Sequence, residues 1–122
     1  MAKETRKVEQ MREVLAQIGA LCDTGFALAI HIRFTRSALL YRTYNQDWID
    51  HYSEKGFFLS DPVVHWGLMN EGSVDWEALE AQDSAGVMAD AKRFGLLNGW
   101  SFAVGPATSR TISGHTKSGA PF

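Results

Sequence analysis

A chain of 122 residues, 45% hydrophobic and 21% charged, is long enough for one globular core and too short for two domains. Its formal net charge of -2 excludes the basic face that duplex nucleic acid requires, and its single cysteine, Cys22, excludes an internal disulfide or a multi-cysteine metal site. The N-terminal segment mixes both signs of charge without the apolar core of a signal peptide, and no apolar run reaches membrane-spanning length, so a cytoplasmic location is expected.

Val8, Met11, Val14, Leu15, Ile18 and Leu21 recur at three- and four-residue steps, which predicts an amphipathic helix over residues 3–22. Asp23, Thr24 and Gly25 end it, and Cys22 reads as a small buried hydrophobe at the helix end. Residues 25–34, GFALAIHIRF, predict a strand buried on both faces for part of its length. His31 reads as a half-buried strand residue rather than a ligand or base, because no second His lies at metal-ligand spacing. Thr35, Arg36 and Ser37 make a polar turn, and residues 38–44 return as the second strand of a hairpin.

Asn45 then caps a helix reaching residue 55 and closed by Gly56, with Trp48 and Tyr52 on one face, Tyr44 one turn earlier and Ile49 widening the stripe. Asp61 before Pro62 marks a second helix start, Asp as N-cap and Pro at the first helical position, running through VVHWGLM to near Asn70. Residues 72–79 read as a turn and a brief extended piece. Residues 81–94 predict a third substantial helix, with Val87, Met88, Ala91 and Phe94 on one stripe and Gly95 as its stop. Residues 98–106 alternate as a strand, and residues 109–116 pair with it more weakly because of their Gly and polar content. This order predicts an α+β fold, an α-β-α sandwich whose central antiparallel sheet is flanked by helices, with a pocket between sheet and helices.

Three of the four Trp and two of the three Tyr fall within residues 44–76. A plain core would use Leu and Phe, whereas buried Tyr hydroxyls and Trp indoles each need a hydrogen-bond partner, which a ligand can supply. Asp61 is either a helix cap alone or also an anchor for a ligand N–H at the edge of an apolar pocket. Trp76 is a further wall or a core residue. His51, near Asp50 and Glu54, and His65, near Asp61, read as exposed helix positions. There is no G-x-S-x-G elbow, paired-His metal motif or dinucleotide glycine fingerprint, and SGHTKSG at residues 113–119 lacks the Gly-Lys-Ser/Thr order of a phosphate loop. No catalysis, metal or cofactor is therefore expected.

Tyr44, Trp48 and Tyr52 at four-residue steps, then DPVV from Asp61, Trp76 and GLLNGWSFAV at residues 95–104, together resemble the autoinducer-binding domain of LuxR-type quorum-sensing transcription factors. The resemblance runs from the first helix to about Thr116. It implies a five-stranded antiparallel sheet and an N-acyl-homoserine lactone, or related acyl amide, bound between sheet and helices. By similarity Trp48 donates its indole N–H to the lactone carbonyl, Asp61 accepts the amide N–H and Tyr44 reaches the amide carbonyl. Tyr52 packs along the head group and acyl chain, and Trp76 against the lactone ring. Val63 stands where some members carry a hydroxyl, Ile49 where some carry Arg, and Ala103 where Pro is frequent. The polar group that members supply from their last strands falls on Ser113 or His115, which completes the ligand-binding set Tyr44, Trp48, Tyr52, Asp61, Val63, Trp76 and Ser113.

The resemblance also implies a homodimer, or a heterodimer with a LuxR-type regulator, and no direct contact of this chain with nucleic acid. The chain stops at Phe122, before a closing helix and the helix-turn-helix domain of such regulators. Residues 1–122 are therefore expected to be a C-terminally truncated sensory domain for transcription regulation in quorum sensing. The alternative is a free-standing LuxR-like protein that heterodimerises with full-length regulators and modulates them.

Overall fold

Five antiparallel strands form one sheet in the order β2-β1-β5-β4-β3. They are β1 (Gly25–Ile32), β2 (Leu39–Arg42), β3 (Gly72–Asp75), β4 (Asn98–Val104) and β5 (Arg110–Lys117). The computed structural model describes residues 2–33 and 36–122, with Glu4 by its backbone alone, so the expected strand residue Phe34 and turn residue Thr35 lie outside it. The fold is the expected α-β-α arrangement. Helix α1 (Ala2–Leu21) lies on one face of the sheet, and α2 (Gln46–Glu54), α3 (Pro62–Met69) and α4 (Val87–Arg93) lie on the other.

The helices flanking the aromatic stretch start where their caps dictate. The Asn45 side chain accepts from the Trp48 N–H at 2.8 Å, and Asp61 Oδ1 accepts from the Val63 N–H at 2.8 Å with Pro62 at the first helical position. Helix α3 then sits directly on β5, because a Cβ on Gly67 would lie 2.5 Å from Ile112 Cδ1. Only glycine permits that approach. Ile32, Val63, Leu79, Met88, Ala103 and Ile112 form one core cluster there, and Trp48, Phe57, Val87, Ala91 and Leu96 form a second under α2 and α4.

Three expectations are corrected. The third helix does not begin at residue 81: residues Trp76–Gln82 form a 3₁₀ helix, and α4 starts only at Val87. The cause is Asp83, whose carboxylate accepts from the N–H groups of Val87, Met88 and Ala89 at 2.8, 2.8 and 3.3 Å and so holds the helix start four residues downstream. Replacing Asp83 with Ala is expected to cost about 2 kcal/mol, the upper end for a lost cap, measured by urea unfolding.

β5, expected as the weaker partner, is the central strand, pairing with both β1 and β4. Its polar residues are buried but satisfied: Thr116 donates to the Gly25 carbonyl at 3.1 Å, and the Ser113 hydroxyl and His115 Nε2 lie 2.9 Å apart. Their context outweighs strand propensity.

His31 is exposed rather than half-buried. Its φ of 53° marks a bulge between Ala29 and Ile32, held by Ser109 Oγ at 2.9 Å from His31 Nδ1. Strict alternation would aim His31 inward after Ala27 and Ala29; the extra residue turns it out and sends Ile32, 2% exposed, into the core in its place.

Helix α1 buries little. Leu15 and Ile18 are half-buried, whereas Val8, Met11 and Val14 are each more than half exposed. Cys22, just past its end, is buried as expected, and burial pushes its thiol up, which keeps it neutral. Among the described residues no helix is long and apolar enough to cross a membrane.

Candidate functional site

Alternation along the strands leaves Ala27 and Ala29 of β1 and Gly114 of β5 on the inner face, where small side chains leave a gap beneath the helices. The gap is a cavity of about 240 Å³, larger than the roughly 150 Å³ apolar cavity that admits one benzene ring. Trp48, Ile49 and Tyr52 of α2 wall one side, Val87, Met88 and Ala91 of α4 another, and Asp61 and Val63 stand at the start of α3. Tyr44, Trp48, Tyr52, Asp61, Val63 and Trp76, all expected from the sequence as binding residues, line this one cavity.

Their polar groups are not equally available. Asp61 Oδ1 holds the Val63 N–H, and Oδ2 accepts from the Tyr52 hydroxyl at 2.9 Å. A carboxylate offers about four acceptor positions, so capping the helix and accepting another N–H are compatible. The Tyr44 hydroxyl spends its proton on the Gly114 carbonyl at 3.1 Å, and the Trp76 indole N–H donates to Ser101 Oγ at 2.8 Å. Trp48 is 5% exposed, packed edge-on to Tyr52 with ring centres 5.7 Å apart, and its indole N–H finds no acceptor among the described residues. The cavity therefore holds an indole donor without a partner and a carboxylate with spare capacity.

Burial raises the Asp61 carboxyl above its ordinary 3.8, against the opposing bonds from Val63 and Tyr52. Burial and the neighbouring Asp61 charge likewise push the Tyr44 and Tyr52 hydroxyls far up, so both stay protonated donors. A carboxyl raised on folding contributes stability that is complete below its unfolded value and lost as pH climbs through its folded value. The unliganded protein is thus expected to lose the Asp61 contribution as pH rises from about 4. Asp61→Asn, a neutral mimic of the protonated acid, isolates it: the stability of this variant relative to the native chain should rise with pH across that window in urea titrations.

Ser113 is the correction within the expected set. Ser113 pairs across the sheet with Leu28 and Phe102, on the face opposite the cavity, and hydrogen-bonds His115. Neither Ser113 nor His115 lines the cavity; the β5 residues that do are Ile112 and Gly114, because alternation sends odd and even positions to opposite faces. His51 is not an exposed helix position either. It lies 2.8 Å from Asp90, whose carboxyl it holds below the usual range, and its ring packs against Phe94 at 5.0 Å. His65 is exposed as expected.

Sequence reading missed Ser101, fully buried on β4, which orients Trp76 from the floor of the site. It also missed Gly99: a Cβ there would overlap the Trp76 ring. The signal was present in GWSFAV, where Gly99, Ser101 and Ala103 put small residues at every second position. Among the described residues no group of three His, Cys, Asp or Glu side chains is placed to hold a metal ion.

The family model described as "Autoinducer binding domain" matches residues 7–113. The transcriptional activator protein SolR of Ralstonia nicotianae is 28% identical over 94 residues, which span 76% of this chain and 39% of SolR. Among solved structures, SdiA of Escherichia coli superposes with a TM-score of 0.71 at 22% identity, covering 92% of this chain and 49% of SdiA; it has also been solved in complex with octanoyl-rac-glycerol. CepR2 of Burkholderia cenocepacia, an N-acylhomoserine lactone dependent LuxR family transcription factor, superposes with a TM-score of 0.68 at 20% identity, covering 86% of this chain and 63% of CepR2. The chain spans under half the length of SolR and SdiA. With its family model matched over most of its length, and its sheet and helices arranged as in these regulators, the chain belongs to the autoinducer-binding domain family of LuxR-type proteins.

Proposed function

We propose that the cavity binds an N-acyl-homoserine lactone or a closely related acyl amide, and that the chain acts as a quorum-sensing signal receptor without catalysis. The observation that carries this reading is the coexistence, in one apolar cavity, of a partnerless indole donor at Trp48 and a half-buried carboxylate with spare acceptor capacity at Asp61. An acyl amide matches both: its N–H suits Asp61, a carbonyl suits Trp48, and its hydrocarbon chain suits Ala29, Met88 and Ile112. Trp76 contributes its ring face, since its N–H is held by Ser101. Tyr44 reaches a ligand carbonyl only by giving up its bond to Gly114, so Trp48 is the primary donor. The ligand dependence in the name of CepR2 supports the same class.

The test is thermal unfolding with a panel of acyl-homoserine lactones of differing chain length. Saturation at a hundred times Kd adds about 2.7 kcal/mol, a rise of several degrees for at least one member. No shift with any member contradicts the reading.

The exposed apolar stripe of α1 at Val8, Met11 and Val14 favours a second reading, in which the chain pairs with a second copy or with a full-length LuxR-type regulator. In that pair the regulator supplies the DNA contacts. Co-purification with such a regulator in the absence of any lactone supports it, and failure to capture one counts against it. A cytoplasmic location fits both readings.

A further inference from the structure

Arg42, on the exposed edge strand β2, lines the cavity while remaining open to solvent. Alternation sends Leu39 and Tyr41 to the outer face of the sheet and places Leu40 and Arg42 along the cavity. Across the sheet from Arg42 stand Ala27 and then Gly114, too small to come between the guanidinium and the interior. It is the one cation among the described residues that line the cavity. Among the described residues it makes no ion pair and no side-chain hydrogen bond, although Asp61 lines the same space. Its charge nevertheless reaches Tyr52, where it opposes part of the rise in that hydroxyl.

A charged residue on an edge strand ordinarily guards the edge against pairing with another chain, and that role needs no particular face. The place of Arg42 along the cavity gives it a second one. A guanidinium is donor-only, with five N–H groups in a rigid planar fork. A plain alkyl chain passing beside it displaces water from those donors and replaces nothing. An oxygen on the chain restores the lost bond.

We propose that Arg42 is a specificity-determining residue: it makes the cavity favour an acyl chain that carries an oxygen acceptor (carbonyl, hydroxyl or carboxylate) over a plain alkyl chain of the same length. This rests on the acyl-amide reading above and adds the substitution class of the chain. Ile49, which lines the cavity from α2, offers only carbon there, so the discrimination falls to β2.

The experiment is calorimetric titration of the native chain, Arg42→Met and Arg42→Lys with N-octanoyl-homoserine lactone and N-(3-oxooctanoyl)-homoserine lactone. The native chain is expected to bind the oxo compound roughly ten-fold more tightly, the worth of one hydrogen bond to a charged group. Arg42→Met, which keeps the apolar stem, should bring the two within about two-fold, chiefly by tightening the plain chain, which no longer strips water from the guanidinium. Arg42→Lys keeps a charge on the edge but loses the fork, and should keep part of the preference; it serves the same purpose if the Met variant does not fold. A preference unchanged in both variants, or a native chain that binds the two compounds equally, overturns the role of Arg42 and leaves the ligand class standing. A native chain that binds neither, with no thermal shift from any acyl-homoserine lactone, overturns the ligand class and this inference with it.

Discussion

Asp61→Asn is expected to lower affinity for an acyl-homoserine lactone roughly ten- to a hundred-fold while leaving the unliganded fold at least as stable at pH 7. The two effects separate because the two jobs of Asp61 differ in what they need. Capping needs one acceptor oxygen for the Val63 N–H, and Asn caps nearly as well as Asp. The Tyr52 hydroxyl can turn and accept from the new amide. Receiving the ligand N–H is different, because it uses a charge-assisted bond in a site where few other charges screen it. Titration calorimetry paired with urea unfolding at pH 7 checks both halves. Equal losses of affinity and stability would mean that Asp61 serves the helix alone.

Gly99→Ala carries the largest expected cost to the fold. Its new methyl would overlap the Trp76 ring, which forms one wall of the cavity and is oriented by Ser101. Overpacking of this kind costs about 1–3 kcal/mol, and losing the bond from indole to Ser101 adds about 1 kcal/mol. The melting temperature should fall by about 10 °C for a chain of this size. A double-mutant cycle identifies the cause: in a Trp76→Leu background the same substitution should cost less than about 1 kcal/mol. Additive losses would show that the glycine is needed for something other than the ring.

What could be read from the residues, and what could not, follows from the range of the forces involved. Asn45 and Asp61 announce their helices because a cap acts within three residues, and both side chains hold the predicted N–H groups. Tyr44, Trp48 and Tyr52 line a common cavity because four-residue spacing survives folding unchanged. The start of α4 was misplaced because the apolar periodicity continues upstream, whereas Asp83 fixes the helix start through bonds to the backbone that periodicity does not contain. The bulge at His31 depends on Ser109 and Thr111, just before and within β5 and about eighty residues away, so alternation alone put the wrong side chain inward. Ser113 was assigned to the site by likeness to the family's last strands, and one position of register decides the face; Gly114 has the cavity. Arg42 is the least legible of all, since a charged residue on an edge strand looks in sequence like an ordinary solvated guard.

The most direct test of the account is mass spectrometry of the small molecules released from the chain after purification from a signal-producing host. An acyl amide with a homoserine lactone head is expected in near-stoichiometric amount from the native chain and in much lower amount from Asp61→Asn. A stoichiometric ligand without an acyl amide, or equal retention by the variant, would contradict it.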